Sequence, residues 1–93
     1  MIKSFGDKET EKLFAGHSSK KIDASIQKKA FRKLVQIHSS KDLNDLTIPP
    51  GNRLHQLQGN LKEYHSISIN MQWRIIFKWN NHNAYDVEII DYH

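Results

Sequence analysis

The sequence predicts an α+β domain in which two N-terminal helices pack on one face of a curved, mostly antiparallel five-stranded sheet. Two observations predict this fold class. Apolar residues in the first half of the chain recur every three or four positions, which is the period of a helix with one buried face. The second half alternates apolar and polar residues in segments rich in aromatic and β-branched side chains, which is the pattern of strands joined by short turns.

A short extended segment and a short helix open the chain. Residues 2–5 (IKSF) have room for no more than an edge strand. Asp7 then stands where a helix N-cap is expected, and Gly16 stands where the helix should end. The predicted first helix therefore has about two turns, with Leu13 and Phe14 as its apolar contribution.

The clearest periodic signal lies in residues 17–40. The predicted buried face of this second helix consists of Ile22, Ile26, Ala30, Leu34 and Ile37, widened by Phe31 and Val35. The opposite face carries six cations within fourteen residues: Lys20, Lys21, Lys28, Lys29, Arg32 and Lys33. The sequence leaves two interpretations open, a solvated face that supports the helix or a surface for nucleic acid or an acidic partner.

Turn-forming residues interrupt the helical pattern after residue 38. Pro49, Pro50 and Gly51 forbid a continuing helix, so we expect a connecting loop with one short turn at residues 43–46. Four strands are then predicted, at residues 53–57, 63–69, 72–79 and 85–93. The short polar segments between them are typical of antiparallel connections.

Alternation within the last two strands predicts which side chains face the helices. The core face consists of Trp73, Ile75, Phe77, Trp79, Tyr85, Val87 and Ile89. The outward face consists of Gln72, Arg74, Ile76, Lys78, Asp86, Glu88 and Tyr92, with Ile90 as an apolar exception. The outward side of the sheet is therefore predicted to be open.

Composition excludes several classes of protein. At 93 residues, 38% of them hydrophobic, the chain is predicted to form one domain, residues 1–93, with a single core. The absence of cysteine excludes disulfide frameworks and thiolate metal sites. Because there is no apolar leader and no stretch near the ~18 apolar residues of a membrane span, we expect a soluble cytoplasmic protein without membrane association. The net charge of +4 modestly favours a polyanionic partner.

The outward face is predicted to carry the residue types that a phosphodiester substrate requires. They are Arg53, His55, Lys62 and Arg74, together with the closing residues Asp91, Tyr92 and His93. RNA is cut when its own 2′-hydroxyl attacks the adjacent phosphorus, so a protein need only align the reacting atoms, move two protons and stabilise negative charge. Histidine exchanges protons at neutral pH, and the arginine fork matches phosphate oxygens. We expect no metal and no cofactor, since the histidines lack the spacing of a metal site.

These residues lie in segments that resemble the HigB-type toxins of the RelE/ParE superfamily of bacterial toxin–antitoxin systems. The resemblance runs nearly end to end, through MIKSF at residues 1–5, PPGNRLHQLQGN at 49–60, YHSISINMQWRIIFKW at 64–79 and VEIIDYH at 87–93. It implies a ribosome-dependent endonuclease that cleaves messenger RNA in the ribosomal A site without a metal. It also implies neutralisation by a helix-turn-helix antitoxin of the HigA type, in a complex that binds operator DNA, and a five-stranded sheet backed by two N-terminal helices.

The resemblance also implies roles for individual residues. His55, Asp91 and Tyr92 match family positions implicated in cleavage, Arg74 matches an arginine assigned to the scissile phosphate, and His93 completes the closing motif. The residues expected to hold RNA by charge are Arg53, Lys62, Lys28, Lys29, Arg32 and Lys33. In a regular strand Asp91 and His93 point away from the face of Tyr92, so we expect Tyr92 to share the outward face with Arg74 and His55.

One position departs from the family pattern, and one alternative function remains. Some relatives have a lysine three residues after the histidine equivalent to His55, where this chain has Gln58, which cannot compensate charge on a phosphorane. Arg53, Lys62 or Arg74 could take over that task, or the protein could cut slowly or rely on the ribosome. The alternative is a non-catalytic toxin that binds DNA gyrase, like the ParE branch, and such a toxin would not need His55 or the closing motif.

Overall fold

The computed structural model describes residues 1–91 and has the predicted α+β order of helices before strands. Two helices, α1 (Lys8–Phe14) and α2 (Gln27–Ser39), precede the strands β1 (His55–Gln56), β2 (Tyr64–Ser68), β3 (Trp73–Asn80) and β4 (Asn83–Asp91). Short 3₁₀ turns lie at Ala24–Ile26, Leu43–Thr47, Pro50–Asn52 and Gly59–Leu61. Tyr92 and His93, two of the predicted site residues, lie outside the described residues.

Both helices begin and pack largely as the sequence predicts. The Asp7 carboxylate caps α1 by accepting a hydrogen bond from the Thr10 amide at 3.2 Å. All five residues of the main apolar stripe of α2 and its preceding turn are buried: Ile22, Ile26, Ala30, Leu34 and Ile37. The wider stripe was wrong, because Phe31 and Val35 remain 37% and 41% exposed, although the Phe31 ring lies 6.5 Å from the ring of Phe14. Within residues 1–91, neither helix is long and apolar enough to cross a membrane.

Within residues 1–91 the sheet has four antiparallel strands in the order β1-β2-β3-β4, so the prediction of five strands was wrong. The N-terminal segment makes only isolated parallel bridges to β4, at Ile2–Ala84 and Phe5–Val87. A continuous ladder is interrupted at Asp86, whose φ of 51° breaks the extended geometry of β4 between the two bridges. The Asp86 amide instead donates to the Ser4 hydroxyl at 2.8 Å.

β1 is shorter than predicted, with two residues instead of five. The preceding 3₁₀ turn ends at Arg53, which has left-handed backbone geometry with φ 49°. An extended strand cannot begin until the chain has left that conformation.

The core face of the sheet follows the predicted alternation in β3 and half of β4. Ile75 and Phe77 are fully buried, and Val87 and Ile89 are buried beside them. The placement of Tyr85 on that face was wrong. A β-bulge between Ile76 and Lys78 on one side and Glu88 and Tyr85 on the other adds a residue to β4, so Tyr85 pairs with outward-facing Lys78 and Ala84 occupies the core. The core position at the start of β4 is therefore Ala84, one residue before the predicted Tyr85.

Thr10 joins α1 to the end of β4. Its side chain is fully buried, and its hydroxyl oxygen accepts a hydrogen bond from the Ile89 amide at 2.9 Å. A buried backbone amide without a partner costs free energy, so this hydroxyl completes the hydrogen bonding of β4 where the strand approaches its end.

We expect Thr10→Val to lower the free energy of unfolding by about 1–3 kcal/mol, because valine fills the same space but leaves the Ile89 amide without its acceptor. Urea denaturation monitored by tryptophan fluorescence measures the change. Thr47→Val is the matched control, since Thr47 is exposed, and it should change stability by no more than about 0.5 kcal/mol. Equal effects of the two substitutions would contradict a specific role for the buried hydroxyl.

Candidate active site

A cavity of about 410 Å³ lies on the outward side of the sheet. Its lining residues are His55, Gln56, Leu57, Gln58, Leu61 and Ile90. β1 and β4 are the two edges of the sheet, and yet Ile90 of β4 lines the same cavity as the segment that begins in β1. The sheet is therefore curved, and its outward face is a trough. The apolar Ile90 forms part of the trough wall, which explains why an outward position carries isoleucine.

His55 and Arg74 lie on this face on either side of Ser66. In the β1–β2 pair, Ser66 is the register partner of His55. Its hydroxyl also accepts a hydrogen bond from Nη1 of Arg74 at 3.3 Å. Ser66 is fully buried, so its hydroxyl holds the Arg74 guanidinium against the sheet. His55, in contrast, is exposed. The structure thus brings together two of the five predicted catalytic residues.

Ser66 is a residue that the sequence reasoning missed. Its position in β2 alternates with buried Ile67, and it follows from the register that Ser66 shares the face of His55 and of outward Ile76. That alternation was a usable signal, because a small hydroxyl residue on the outward face of β2 leaves room for a long side chain from neighbouring β3.

The imidazole of His55 is oriented by its own loop. Its Nδ1 lies 3.0 Å from the carbonyl oxygen of Arg53. A carbonyl oxygen can only accept, so Nδ1 carries the proton in this hydrogen bond, and in the neutral ring Nε2 is the nitrogen that can accept a proton. In this tautomer Nε2 is the atom of the ring that could act as a general base.

Asp91 lies on a different side of the sheet from this pair. It is the register partner of Trp73, which packs against the core, whereas Arg74 pairs with Ile90. The Asp91 carboxylate accepts a hydrogen bond from Nε2 of Gln72 at 3.2 Å. The structure thus does not bring Asp91 together with His55 and Arg74, and Tyr92 and His93 lie outside the described residues.

The predicted RNA-binding cations fall into separate groups. Lys29 and Arg53 line a second cavity together with Arg74. Lys28 and Arg32 are exposed on α2. Lys62 is exposed on the loop between β1 and β2 and lines neither of these two cavities.

Lys33 is half-buried and is hydrogen-bonded within the fold. Its ammonium group donates a short hydrogen bond to the side-chain oxygen of Asn52. Burial lowers the pKa of Lys33, and the neighbouring charges of Lys29 and Arg32 lower it further. Since Asn52 is fully buried, this contact braces the loop before β1 against α2.

Gln58 lies in the cavity wall with His55. This is the position at which the sequence departs from the lysine of the family pattern. A neutral amide here can donate a hydrogen bond to a phosphate oxygen, but it contributes no charge. Among the described residues that line the cavity, none is a lysine or an arginine. Arg74 of β3, the register partner of the lining residue Ile90, is a source of fixed positive charge beside it.

Comparison with known proteins identifies a matching family and similar sequences. Residues 3–93 match the model of the family described as RelE-like toxin of type II toxin-antitoxin system HigB. Toxin HigB-1 of Vibrio cholerae is 41% identical over 80 residues, covering 85% of this chain and 84% of the relative. Endoribonuclease HigB of Proteus vulgaris is 31% identical over 93 residues, the full length of both.

Solved structures with little sequence identity share the fold. A mutant of YafQ from E. coli superimposes with a TM-score of 0.65 at 16% identity, over 98% of this chain and 93% of that one. The YoeB-YefM complex from Staphylococcus aureus gives a TM-score of 0.62 at 16% identity, over 100% of this chain and 98% of the other. At this level of identity the likeness concerns the architecture.

One carboxylate on the outward face, that of Glu88, lies in surroundings that disfavour its charged form. Glu88 is the register partner of Ile76 on the outward face. It lies so close to the N-terminal segment that a Cβ added to Gly6 would be 2.6 Å from its Oε1. Partial burial raises the pKa of Glu88, and the negative charges of Asp7 and Asp86 raise it further.

We expect Glu88→Gln to stabilise the protein at pH 7. A carboxyl group whose pKa is raised by folding carries its charge at a cost above that pKa, and the cost disappears as falling pH protonates it. The gain should stay below about 1 kcal/mol because solvent screens a partly exposed group, and it should shrink toward pH 4. Urea denaturation at both pH values measures it, with exposed Glu11→Gln as the control. A gain of equal size at the two pH values would contradict the electrostatic cause.

Proposed function

Since the chain belongs to the HigB family of RelE-like toxins of type II toxin–antitoxin systems, we propose that it is a ribosome-dependent endoribonuclease. In this proposal it cleaves messenger RNA in the ribosomal A site and thereby stops translation and growth. The family match and the name of the full-length Proteus vulgaris relative support an endoribonuclease. The observation that carries the assignment on this chain is the placement of His55 and Arg74 on either side of buried Ser66, beside a cavity of about 410 Å³ that His55 lines.

The chemistry requires an attack in line with the bond that breaks. The ribose 2′-oxygen bonds to the adjacent phosphorus while the bond from phosphorus to the 5′-oxygen of the next nucleotide breaks. The 2′-hydroxyl gives up its proton, and the departing 5′-oxygen takes one up. The products are a 2′,3′-cyclic phosphate and a 5′-hydroxyl, and the net reaction needs no metal and no cofactor. The protein contributes alignment and two proton transfers.

His55 and Arg74 fit two of these tasks. With Nδ1 donating to the Arg53 carbonyl, Nε2 of His55 is available to accept the proton of the 2′-hydroxyl. Arg74, half-buried and hydrogen-bonded to Ser66, presents a fixed positive charge to the phosphate oxygens as negative charge develops on them. Ser66 acts as a positioning residue because it holds the guanidinium of Arg74.

The closing residues have the remaining roles in the proposal. Tyr92 handles the second proton, His93 adds positive charge, and Asp91, whose carboxylate accepts a hydrogen bond from Gln72, orients neighbouring groups. The exposed cations Lys28 and Arg32 on α2, with Lys62 on its loop, dock on ribosomal RNA by charge.

Membership of a toxin–antitoxin family implies an antitoxin partner. We propose a helix-turn-helix protein of the HigA type that neutralises the toxin in the cytoplasm, in a complex that binds operator DNA. The basic, mixed surface of α2, with exposed Phe31 and Val35 beside Lys28 and Arg32, is compatible with an acidic amphipathic partner segment.

Induced expression of the protein should arrest growth, and translated messages should be cut at defined codons. His55→Ala should slow this cutting by about 10²–10⁴-fold, because the general base is lost. Arg74→Ala should slow it by about 10²–10³-fold through loss of charge stabilisation. Mapping of RNA 5′ ends after induction, and of cuts on ribosome complexes with purified protein, measures both. The matched control is His17→Ala, since His17 is exposed and lies outside the site.

Three outcomes would contradict the proposal. Messages that stay whole during growth arrest would exclude a nuclease, and accompanying DNA damage would favour the gyrase-binding alternative. Cutting of untranslated RNA at the same rate as translated RNA would exclude ribosome dependence. Unchanged cutting by the combined variant His55→Ala and Tyr92→Phe would exclude the assigned proton transfers.

Gln58→Lys should raise the single-turnover cleavage rate on ribosomes by at least about tenfold, because it places a cation beside the developing phosphorane charge. Asn60→Lys is the matched control, since it adds the same charge to the same exposed loop but outside the cavity lining. An equal increase in both variants would mean that added charge promotes ribosome binding instead of the chemical step.

A further inference from the structure

A second cavity, of about 290 Å³, adjoins the candidate active site, and three cations from separate segments line it. Lys29 comes from α2, Arg53 from the loop before β1, and Arg74 from β3. Among residues 1–91, no carboxylate contributes to its lining. Like charges repel one another at short range, so a fold that holds three cations around one concave surface is suited to an anionic occupant.

The position of Arg53 is imposed by the fold. Its backbone has φ 49°, a left-handed conformation that a residue other than glycine adopts at a cost. Its amide donates to the Pro50 carbonyl at 3.1 Å, which closes the turn. The residue before it, Asn52, is fully buried and donates to the Leu46 carbonyl at 3.1 Å. The turn therefore fixes the base of this side chain beside the cavity, and its exposed guanidinium is accessible to an anion there.

Arg74 belongs to both the cavity and the candidate active site. It lines the cavity with Lys29 and Arg53, and its Nη1 donates to Ser66, the register partner of His55. An anion bound in this cavity is therefore separated from the cleavage position by a single arginine side chain. Neighbouring phosphates of one nucleic acid strand have this relation, whereas a free phosphate ion would need only one of the two places.

The rim of the cavity carries an apolar side chain as well. Met71, in the turn between β2 and β3, lines the cavity and is 94% exposed. The turn itself is ordered, because Oδ1 of Asn70 accepts hydrogen bonds from the Gln72 and Trp73 amides at 2.8 and 2.7 Å. A polarisable thioether on a fixed turn, beside cations, suits the flat face of an unstacked base.

We propose that this cavity is a second phosphate subsite, which binds the phosphate next to the scissile one in single-stranded RNA. Lys29 and Arg53 contact that phosphate, and Met71 contacts the base beside it. The subsite rests on the proposed function for the identity of the scissile phosphate. It assigns a length to the recognised substrate, since at least two consecutive phosphates of the message must then lie on the protein.

Binding of a short RNA that cannot be cut tests the subsite separately from cleavage. The probe is a fluorescein-labelled pentaribonucleotide with a 2′-deoxy sugar at its central linkage, and anisotropy gives its Kd with the full-length protein at several salt concentrations. Lys29→Ala and Arg53→Ala should each reduce the slope of log Kd against log salt by about 0.7, the value for one phosphate contact on a single strand. Lys41→Ala is the control, since it removes an exposed cation that does not line the cavity.

A neutral linkage then identifies the phosphate. Probes carry a methylphosphonate at one of the two positions flanking the central linkage, which removes one negative charge without removing the base. Arg53→Ala should weaken binding of the unmodified probe by about threefold or more at low salt. It should have no effect on the probe whose neutral linkage occupies the subsite. Met71→Gln should weaken both the modified and unmodified probes equally.

The outcomes separate this subsite from the nuclease proposal. Loss of the Arg53→Ala effect with one flanking methylphosphonate supports the subsite even in a protein that cuts no message. An Arg53→Ala effect of the same size on every probe, or equal salt slopes for Lys29→Ala, Arg53→Ala and Lys41→Ala, overturns it even if cleavage is observed. Absence of measurable binding by the unsubstituted protein at low salt also overturns it.

Discussion

The buried side-chain amide of Asn52 is the interaction on which the arrangement of the site most depends. Its Nδ2 donates to the Leu46 carbonyl and to Oε1 of Gln36, and its oxygen accepts from the Lys33 ammonium. One side chain thus joins α2, the turn that contains Leu46, and the loop that leads into β1. A buried polar group is costly unless its partners are all in place, so this set of bonds forms together with the fold and resists partial rearrangement. Arg53 follows Asn52 directly in the chain, so the bonds of Asn52 also fix the position of the Arg53 backbone.

The helices and the strand faces could be predicted from the sequence because they depend on local periodicity. A stripe such as Ile26, Ala30 and Leu34 has one way to be buried, and the register of β3 follows from the alternation of Ile75 and Phe77. The errors fell where one residue departs from the regular period. The residues with left-handed geometry at the bulge in β4 and in the turn before β1, Asp86 and Arg53, are not glycines, and the surrounding backbone is stabilised by contacts between segments distant in sequence.

The candidate site was predictable only in part, for a related reason. His55 and Arg74 could be named from motif and alternation, since both lie on regular outward positions. The role of Ser66, the wall formed by Ile90, and the gathering of Lys29, Arg53 and Arg74 around one cavity depend on how the strands and helices pack in three dimensions. Lys33 illustrates the limit, because the lysine-rich pattern of α2 does not distinguish a lysine in solvent from one bonded to a buried amide.

The two ends of the trough differ in charge. At one end, Lys29, Arg53 and Arg74 line a cavity without a carboxylate among its described lining residues. At the other end, Lys78 is 3.3 Å from Asp86 and 3.9 Å from Glu63, and the hydrogen bond from its ammonium group to Asp86 is the main reason that its pKa is raised. A lysine that already has carboxylate partners attracts a phosphate weakly. Under the proposed function, this unequal distribution of charge attracts the phosphates of an RNA strand toward the Arg74 end of the face and away from the Lys78 end.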